Sequence, residues 1–209
     1  MPYSIQRPYL KNHKLHVFSN SLASEKEFIE SGKHLPVLHA LNEELNKQNT
    51  IIDYDSIEEY YGSDSLSVFK NKSGIDLSFN LLNAKTLKLK KENFAIDLKI
   101  RFFNTSAVYD DFLAEIVSQD FGHYSNKLPV PGWAVCNHKV NDAILYIIPA
   151  LNKAALVLRK ELNEGFQKRR FPDKNRKIAK NGRYNTISVP ISWDRLTTVC
   201  PNTIIFNYE

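Results

Sequence analysis

The sequence contains few cysteines and no long apolar run, and each absence excludes a class of protein. Its two cysteines, Cys136 and Cys200, are too few and too isolated for a disulfide framework or a CxxC metal site. No run approaches the roughly 18 apolar residues of a membrane span, and residues 1–8 lack the apolar core of a signal peptide. Glycine motifs that bind nucleotide phosphates, such as GxGxxG, are also missing. We therefore expect a cytoplasmic protein with no membrane partner.

The composition is that of a globular chain with an uneven charge. Its 209 residues, 43% of them hydrophobic, suffice for one domain with a real core. The net charge of +5 is concentrated in residues 168–183, the basic stretch, where eight cations accompany one acid, Asp173. The cations are Lys168, Arg169, Arg170, Lys174, Arg176, Lys177, Lys180 and Arg183. With Pro172, Gly182 and few apolar residues, the stretch is expected to be an exposed loop. It suits phosphate contacts, although solvated basic loops are also common.

The spacing of apolar residues predicts an α+β fold. Ser24 and Glu27 form a capping box before a helix. Further helices are predicted at 35–45, 53–61, 151–166 and 192–197, and strands at 74–82, 86–90, 94–103, 109–118, 143–148 and 186–190. The first three strands are expected to form an antiparallel meander. We expect a single domain over 1–209, with its core at about 24–166 and a C-terminal extension at 184–209.

Two of these strands carry acids on one face. Side chains alternate between the two faces of a strand, so Asp76 shares a face with Ser78, and Asp97 shares a face with Lys99 and Arg101. Pairing the strands would bring the two carboxylates and the ammonium together. Such a group suits a divalent cation and a phosphodiester. The alternative is a solvated sheet face with incidental charges.

The order of the motifs resembles the PD-(D/E)xK nuclease superfamily, in particular its small phage and bacterial members. The resemblance spans about residues 70–150. It rests on Gly74-Ile75-Asp76, Ile96-Asp97-Leu98-Lys99, Glu115 within the strand 112–118, Pro131-Gly132-Trp133 and the strand 142–148. It implies a restriction-endonuclease-like core, in which a central mixed or antiparallel sheet is flanked by helices. Ile75 stands where the family motif has proline, and Asp97 replaces the commoner glutamate.

The resemblance also implies roles for single residues. Asp76 and Asp97 would bind Mg²⁺ or Mn²⁺ together with the backbone carbonyl of Leu98, and Lys99 would be the catalytic cation. These oxygens are the hard ligands that Mg²⁺ prefers. An additional acid would come from Glu115, Glu58 or Glu59, and Glu43 and Glu44 are further candidates. We expect Asp97 to lie on an exposed face, so that Asp97→Asn would leave the fold intact.

The implied activity is a metal-dependent DNA endonuclease whose basic stretch contacts phosphates. RNA is a second candidate substrate, and double-strand cleavage with one site per chain would call for a homodimer. The rival hypothesis is an inactive module on a nuclease scaffold that binds DNA or protein, such as a regulator or counter-defence protein. Tyr109, Tyr124 and Tyr184 are candidates for stacking on bases, although full or partial burial is the commoner fate of tyrosine.

Overall fold

The computed structural model describes residues 27–61, 64–102, 108–122, 128–136, 139–171, 175–180 and 184–209. Within these ranges residues 27–30 are helical, and the longer helices are α1 (Leu35–Lys47), α2 (Ser65–Lys72), α3 (Arg159–Gln167) and α4 (Trp193–Val199). The strands are β1 (Thr50–Glu59), β2 (Leu77–Asn83), β3 (Leu89–Ile100), β4 (Phe112–Asp120), β5 (Val130–Pro131), β6 (Ala143–Ile148), β7 (Lys153–Leu158), β8 (Lys177–Lys180), β9 (Asn185–Ile191) and β10 (Ile204–Asn207). The predicted cap at Ser24 lies outside the described residues, as do Lys174, Arg183 and Tyr124.

The strands form two sheets, and the protein is α+β as predicted. The larger sheet has six strands in the order β1-β2-β3-β6-β7-β10. Its strands β1, β2 and β3 form an antiparallel meander, whereas β6 runs parallel to β3, so the sheet is mixed. The smaller sheet has four antiparallel strands in the order β5-β4-β9-β8.

One face of the six-stranded sheet packs on α1. The buried residues of this helix follow helical spacing, from Leu38 and Leu41 to Leu45, and a proline at its start suits the first turn. They meet the alternate residues of β2 and β3 that include Leu77 and Ile96. This layer is the first core, and it is apolar throughout.

The opposite face of the same sheet is also covered. Ile144, Tyr146 and Ile148 of β6 pack against the smaller sheet through Phe112 and Ile191, together with residues of α3 and α4. This layer is the second core. Because Asp97 and Lys99 alternate with Ile96 and Leu98 of the first core, they point toward the second core and not toward bulk solvent.

The predicted helix at 151–166 is correct only in its second half. Residues Lys153–Leu158 form β7, and the helix begins at Arg159. Ala154 and Leu156 belong to the first core, whereas Ala155 and Val157 belong to the second. A strand that is buried on both faces has a continuous apolar run, which periodicity cannot tell from a buried helix. That ambiguity explains the error.

Two further predictions near the meander are wrong. Residues 53–61 fall mostly in β1, which pairs with β2 across a bulge between Asp53 and Glu58, so tertiary pairing overrides a weak helical signal. Residues 84–86 form a turn, and β3 then runs without interruption from Leu89, so 86–90 is not a separate strand. The meander therefore exists, but its first strand is β1.

The basic stretch is only partly the exposed loop that was expected. Residues 168–170 are exposed, but Phe171 is buried against Phe166, and Lys177–Lys180 form β8 on the edge of the smaller sheet. Strand pairing with β9 gives the end of the stretch a fixed geometry that its composition did not indicate.

Several simpler elements are confirmed. The helix at 35–45, the strands at 143–148 and 186–190 and the short helix after Ser192 are all present, and the Ser192 hydroxyl accepts a hydrogen bond from the Arg195 N–H as a helix cap does. None of the helices in the described ranges combines the length and apolar character needed to cross a bilayer.

Candidate active site

A sharp turn places Asp76 directly before Leu77, the first residue of β2. Helix α2 ends at Lys72, and Gly74 follows with a positive φ of 78°, a conformation that glycine adopts without strain. The Asp76 N–H then donates to the Ile96 carbonyl at 2.8 Å, which joins the turn to β3. The Gly74-Ile75-Asp76 motif is thus a helix ending followed by the first contact with the strand that carries Asp97.

The Asp76 carboxylate is buried and held at both oxygens. Its Oδ2 accepts the Leu98 N–H at 2.7 Å, and its Oδ1 accepts the Asn71 side-chain amide at 2.7 Å. Burial raises its pKa to about 7; nearby Lys99 lowers the pKa, and the charge of Asp97 and a hydrogen bond with the Asp97 carboxyl raise it. The two predicted carboxyls are therefore direct neighbours, and the buried Asp76 carboxyl holds its proton more tightly than an ordinary aspartate does.

Asp97 lies between two cations. Its Oδ1 is 2.5 Å from the Lys99 Nζ, and its Oδ2 is 2.9 Å from the Arg159 Nη2. The residue is only 1% exposed. The expectation of an exposed Asp97 is wrong, because the second core covers this face of the sheet. A solvated face with incidental charges is excluded for the same reason.

Lys99 reaches two of the predicted ligand oxygens at once. Besides Asp97, its Nζ lies 3.1 Å from the Leu98 carbonyl oxygen, to which it donates. Its side chain is 24% exposed, whereas that of Arg159, the other cation that pairs with Asp97, is 5% exposed. The ammonium thus lies where these oxygens converge, and it is partly exposed to solvent.

Arg159 was missed in the sequence, yet it organises the site. Its guanidinium donates to Asp97, to the Asn141 side-chain oxygen at 3.1 Å and to the Trp133 carbonyl. Burial lowers its pKa, and the charge of Asp97 raises it. Arg159 is the first residue of α3 and follows a buried strand, a position without any sequence signal for a site.

The Pro131-Gly132-Trp133 turn supports this arrangement. A Cβ on Gly132 would lie 2.3 Å from the Glu115 carbonyl oxygen, so only glycine allows the turn to approach β4 this closely. Trp133 packs edge-on against Phe112, with ring centroids 5.7 Å apart. Trp133 is therefore a packing anchor, and its carbonyl accepts a hydrogen bond from Arg159.

Glu115 is the candidate additional acid on which the charges of Lys99 and Asp97 act. Burial raises its pKa, the charge of Lys99 and hydrogen bonds with Ser118 and the Trp133 backbone lower it, and the charge of Asp97 raises it. Glu115 therefore interacts electrostatically with Lys99 and Asp97, while its hydrogen bonds go to Ser118 and Trp133.

The other candidate acids contact other residues, and Glu58 is the strand partner of Ser78. Glu59 pairs with His34 at 2.6 Å. Glu58 accepts a hydrogen bond from the Tyr60 hydroxyl. Glu43 and Glu44 lie on α1, which packs on the opposite face of the sheet. In the described part of the chain, Glu115 is the candidate that interacts with Asp97.

Among the described residues of the basic stretch, 168–170 follow α3 and Lys177–Lys180 form β8 of the smaller sheet. Lys168 pairs with Glu164 at 2.8 Å, and Arg169 and Arg170 are exposed. Ser188 of β9 is the strand partner of both Glu115 and Lys177. Lys177 is therefore two strands away from Glu115, about 10 Å at ordinary strand spacing. The end of the basic stretch is thus connected to the site through the sheet.

The donor set fits a small, hard cation. Two adjoining carboxylates and a carbonyl oxygen are suitable for Mg²⁺ or Mn²⁺, which keep several water ligands. A buried carboxylate pair also needs either a proton or a cation, and the raised pKa of Asp76 shows that need. No three His, Cys, Asp or Glu side chains among the described residues form a ready metal cage, so the site offers two carboxylates and not three.

Comparison with known proteins gives no relative. No model of a known protein family, no curated protein and no solved structure matches this chain.

Proposed function

We propose that this protein is a metal-dependent endonuclease that hydrolyses phosphodiester bonds in DNA. The observation that carries the proposal is the contact between the Asp76 and Asp97 carboxyls, with the Lys99 ammonium against Asp97. Random surface charges have no reason to converge in a buried layer, where desolvation is costly. A site that binds a cation and a phosphate requires such charges to converge.

In this proposal Asp76, Asp97 and the Leu98 carbonyl hold Mg²⁺ or Mn²⁺. When bound, the metal supplies an acidic water and neutralises charge on the phosphate. Lys99 leaves its present partners and stabilises the negative charge that develops on the phosphate in the transition state. Arg159 keeps the Asp97 carboxylate in a fixed orientation, so that Oδ1 faces the reaction.

The fold supports the proposal. The antiparallel meander carries Asp97 on β3 and has Asp76 directly before β2, the Asp-x-Lys strand β3 pairs with the parallel strand β6, and α1 covers one face. We infer a restriction-endonuclease-like core on these grounds. The basic stretch is the proposed phosphate contact, RNA remains the second candidate substrate, and a homodimer is expected if both strands are cut.

One observation favours a second function. Both oxygens of Asp97 already have cationic partners, and the residue is almost fully buried. A chain that had lost catalysis would stabilise its carboxylate in this way without a metal. The alternative is therefore a DNA- or protein-binding module on a nuclease scaffold, such as a phage regulator or counter-defence protein.

Plasmid nicking in Mg²⁺, Mn²⁺ or EDTA separates the two. We expect nicking with either metal and none in EDTA. Asp97→Asn should abolish it, and Lys99→Ala should slow it by about 10²- to 10³-fold, the usual effect of one lost stabilising group. Asp120→Asn is the matched control, because Asp120 is a buried carboxylate of β4 outside the cluster.

Titration calorimetry with Mn²⁺ gives an independent measurement. We expect heat of binding from the parent protein and from Asp120→Asn, but not from Asp97→Asn. A folded parent that binds DNA yet neither nicks it nor binds Mn²⁺ would refute the nuclease and support the binding module.

A further inference from the structure

An exposed aromatic ring stands between two cations near the candidate site. Tyr109 precedes β4 and is 49% exposed. The Arg101 guanidinium lies 5.6 Å from its ring centroid, and the Lys177 ammonium lies 5.7 Å from it. About half of Tyr109 is therefore buried, as expected for a tyrosine, and the other half is open to solvent.

The two cations are held differently. Arg101 is anchored, because it donates to the Asp111 carbonyl at 2.9 Å and also pairs with the Asp111 carboxylate, and its side chain is only 12% exposed. It also donates to the Tyr109 carbonyl at 3.5 Å, which ties the backbone of the tyrosine to β3. Lys177 is exposed on the edge strand β8. The ring thus has one fixed neighbour and one on a long, exposed side chain.

Tyr109 lies within reach of the site. Arg101 follows Asp97 by four residues on the same face of extended chain, about 13 Å at 3.3 Å per residue. The Arg101 charge also acts on Tyr146, the β6 partner of Lys99, which confirms that Arg101 points to the site side of the sheet. A nucleic-acid strand bound at Lys99 would therefore reach the Tyr109 ring within a few nucleotides.

The surroundings of the ring are cationic. Asp110 pairs with Lys153 at 2.6 Å, and Asp111 pairs with Arg101, so both nearby carboxylates are compensated. Lys177 adds a further cation beside the ring. An exposed ring in such a setting suits a ligand that has a flat π-face and a negative charge, which a nucleotide offers.

We propose that Tyr109 is a stacking platform for an unpaired base, and that the substrate contains single-stranded nucleic acid. In a duplex the base faces are stacked on each other, so an isolated protein ring can stack on a base only where pairing is absent or lost. Lys177 would then leave the Tyr109 ring and bind the phosphate next to the stacked base. The inference rests on the proposed nuclease for its link to cleavage, but not for binding.

The experiment is fluorescence anisotropy in EDTA, with a labelled single-stranded oligonucleotide and the duplex of the same sequence. Tyr109→Ala should weaken single-strand binding about tenfold to a hundredfold, the range for one lost base stack. Tyr109→Phe should bind like the parent, because it keeps the ring. Tyr54→Ala is the matched control, since Tyr54 is 43% exposed but its hydroxyl contacts the Leu38 carbonyl on the α1 side.

Lys177→Gln gives a second measurement that does not change the ring. It should reduce the log–log salt slope of single-strand binding by about 0.7, the value for one phosphate contact on a single strand. Parent-like binding by Tyr109→Ala, equal losses on duplex and single strand, or a loss in Tyr109→Phe as large as in Tyr109→Ala would each overturn the inference. Because EDTA removes the metal, failure of the nuclease shows in the nicking assay alone.

Discussion

The two faces of the six-stranded sheet differ in what they bury, although β3 contributes to both. On one face Ile96 and Leu98 meet an apolar helix. On the other face Asp97 and Lys99 meet a layer that contains Arg159. Apolar burial stabilises directly, whereas a buried ion pair must first overcome the desolvation of both charges. The first face is therefore filled by apolar packing, whereas the second combines apolar packing with charges that stability alone does not require.

The largest effect on stability is expected at the Asp97–Arg159 pair. Arg159→Met removes the buried cation from Asp97, leaves the partly exposed Lys99 as its cationic partner and also removes the donor to Asn141 and the Trp133 carbonyl. It should lower the free energy of unfolding by about 3–5 kcal/mol. The double variant Arg159→Met, Asp97→Leu should recover most of this loss, because both charges are replaced by apolar groups. Urea unfolding measures both. A double variant no more stable than the single one would mean that the pair stabilises the fold after all.

The apolar face should respond to truncation without a change in the site. Leu98→Ala should cost about 3 kcal/mol, the typical effect of a core leucine truncation. Its backbone carbonyl remains, so Mn²⁺ affinity measured on the folded variant should equal that of the parent. A large loss of metal affinity would contradict the separation of the two faces.

The charged face should make stability depend on pH. The pKa of Asp76 is raised from 3.8 to about 7, so the folded state binds the proton more tightly than the unfolded state. Its contribution is fully present below pH 4 and is lost as the pH rises through 7, with a slope of up to about 1.4 kcal/mol per pH unit. Urea unfolding from pH 4 to 7.5 should show this slope in the parent and a flatter one in Asp76→Asn. Equal slopes in the parent and in Asp76→Asn would refute the raised pKa that is assigned to Asp76.

The smallest effect on stability is expected outside both faces, at the exposed start of the basic stretch. Replacing Lys168 and Arg170 with Ser and Arg169 with Asn should change the melting temperature little, and Asn tolerates the positive φ of 52° at residue 169. If all three contact phosphate, the log–log salt slope on duplex DNA should flatten by about two to three units. An unchanged slope and affinity would show that these residues do not bind DNA.

The sequence predicted which side chains of the candidate site lie together better than it predicted what surrounds them. Alternation in β3 correctly gave Asp97 and Lys99 a common face, and the turn after Gly74 brought Asp76 to them. Alternation identifies a face but not what covers it, and here the cover comes from β4 and β9, far along the chain. The Arg159 side chain had no signal, because its partner is 62 residues away. β7 was mistaken for helix since both of its faces are buried.

The parallel pairing of β3 with β6 sets the order in which the chain can assemble. The antiparallel meander that precedes it uses short connections. Strand β6 follows β4 and β5 in the chain, so it can pair with β3 only after both have been synthesised. Non-local contacts of this kind form slowly, because loop closure comes first. On a ribosome adding about 5–20 residues per second, Arg159 would emerge about 3–12 s after Asp97. The nascent meander therefore exists for seconds with a carboxylate on its open face and no guanidinium to meet it.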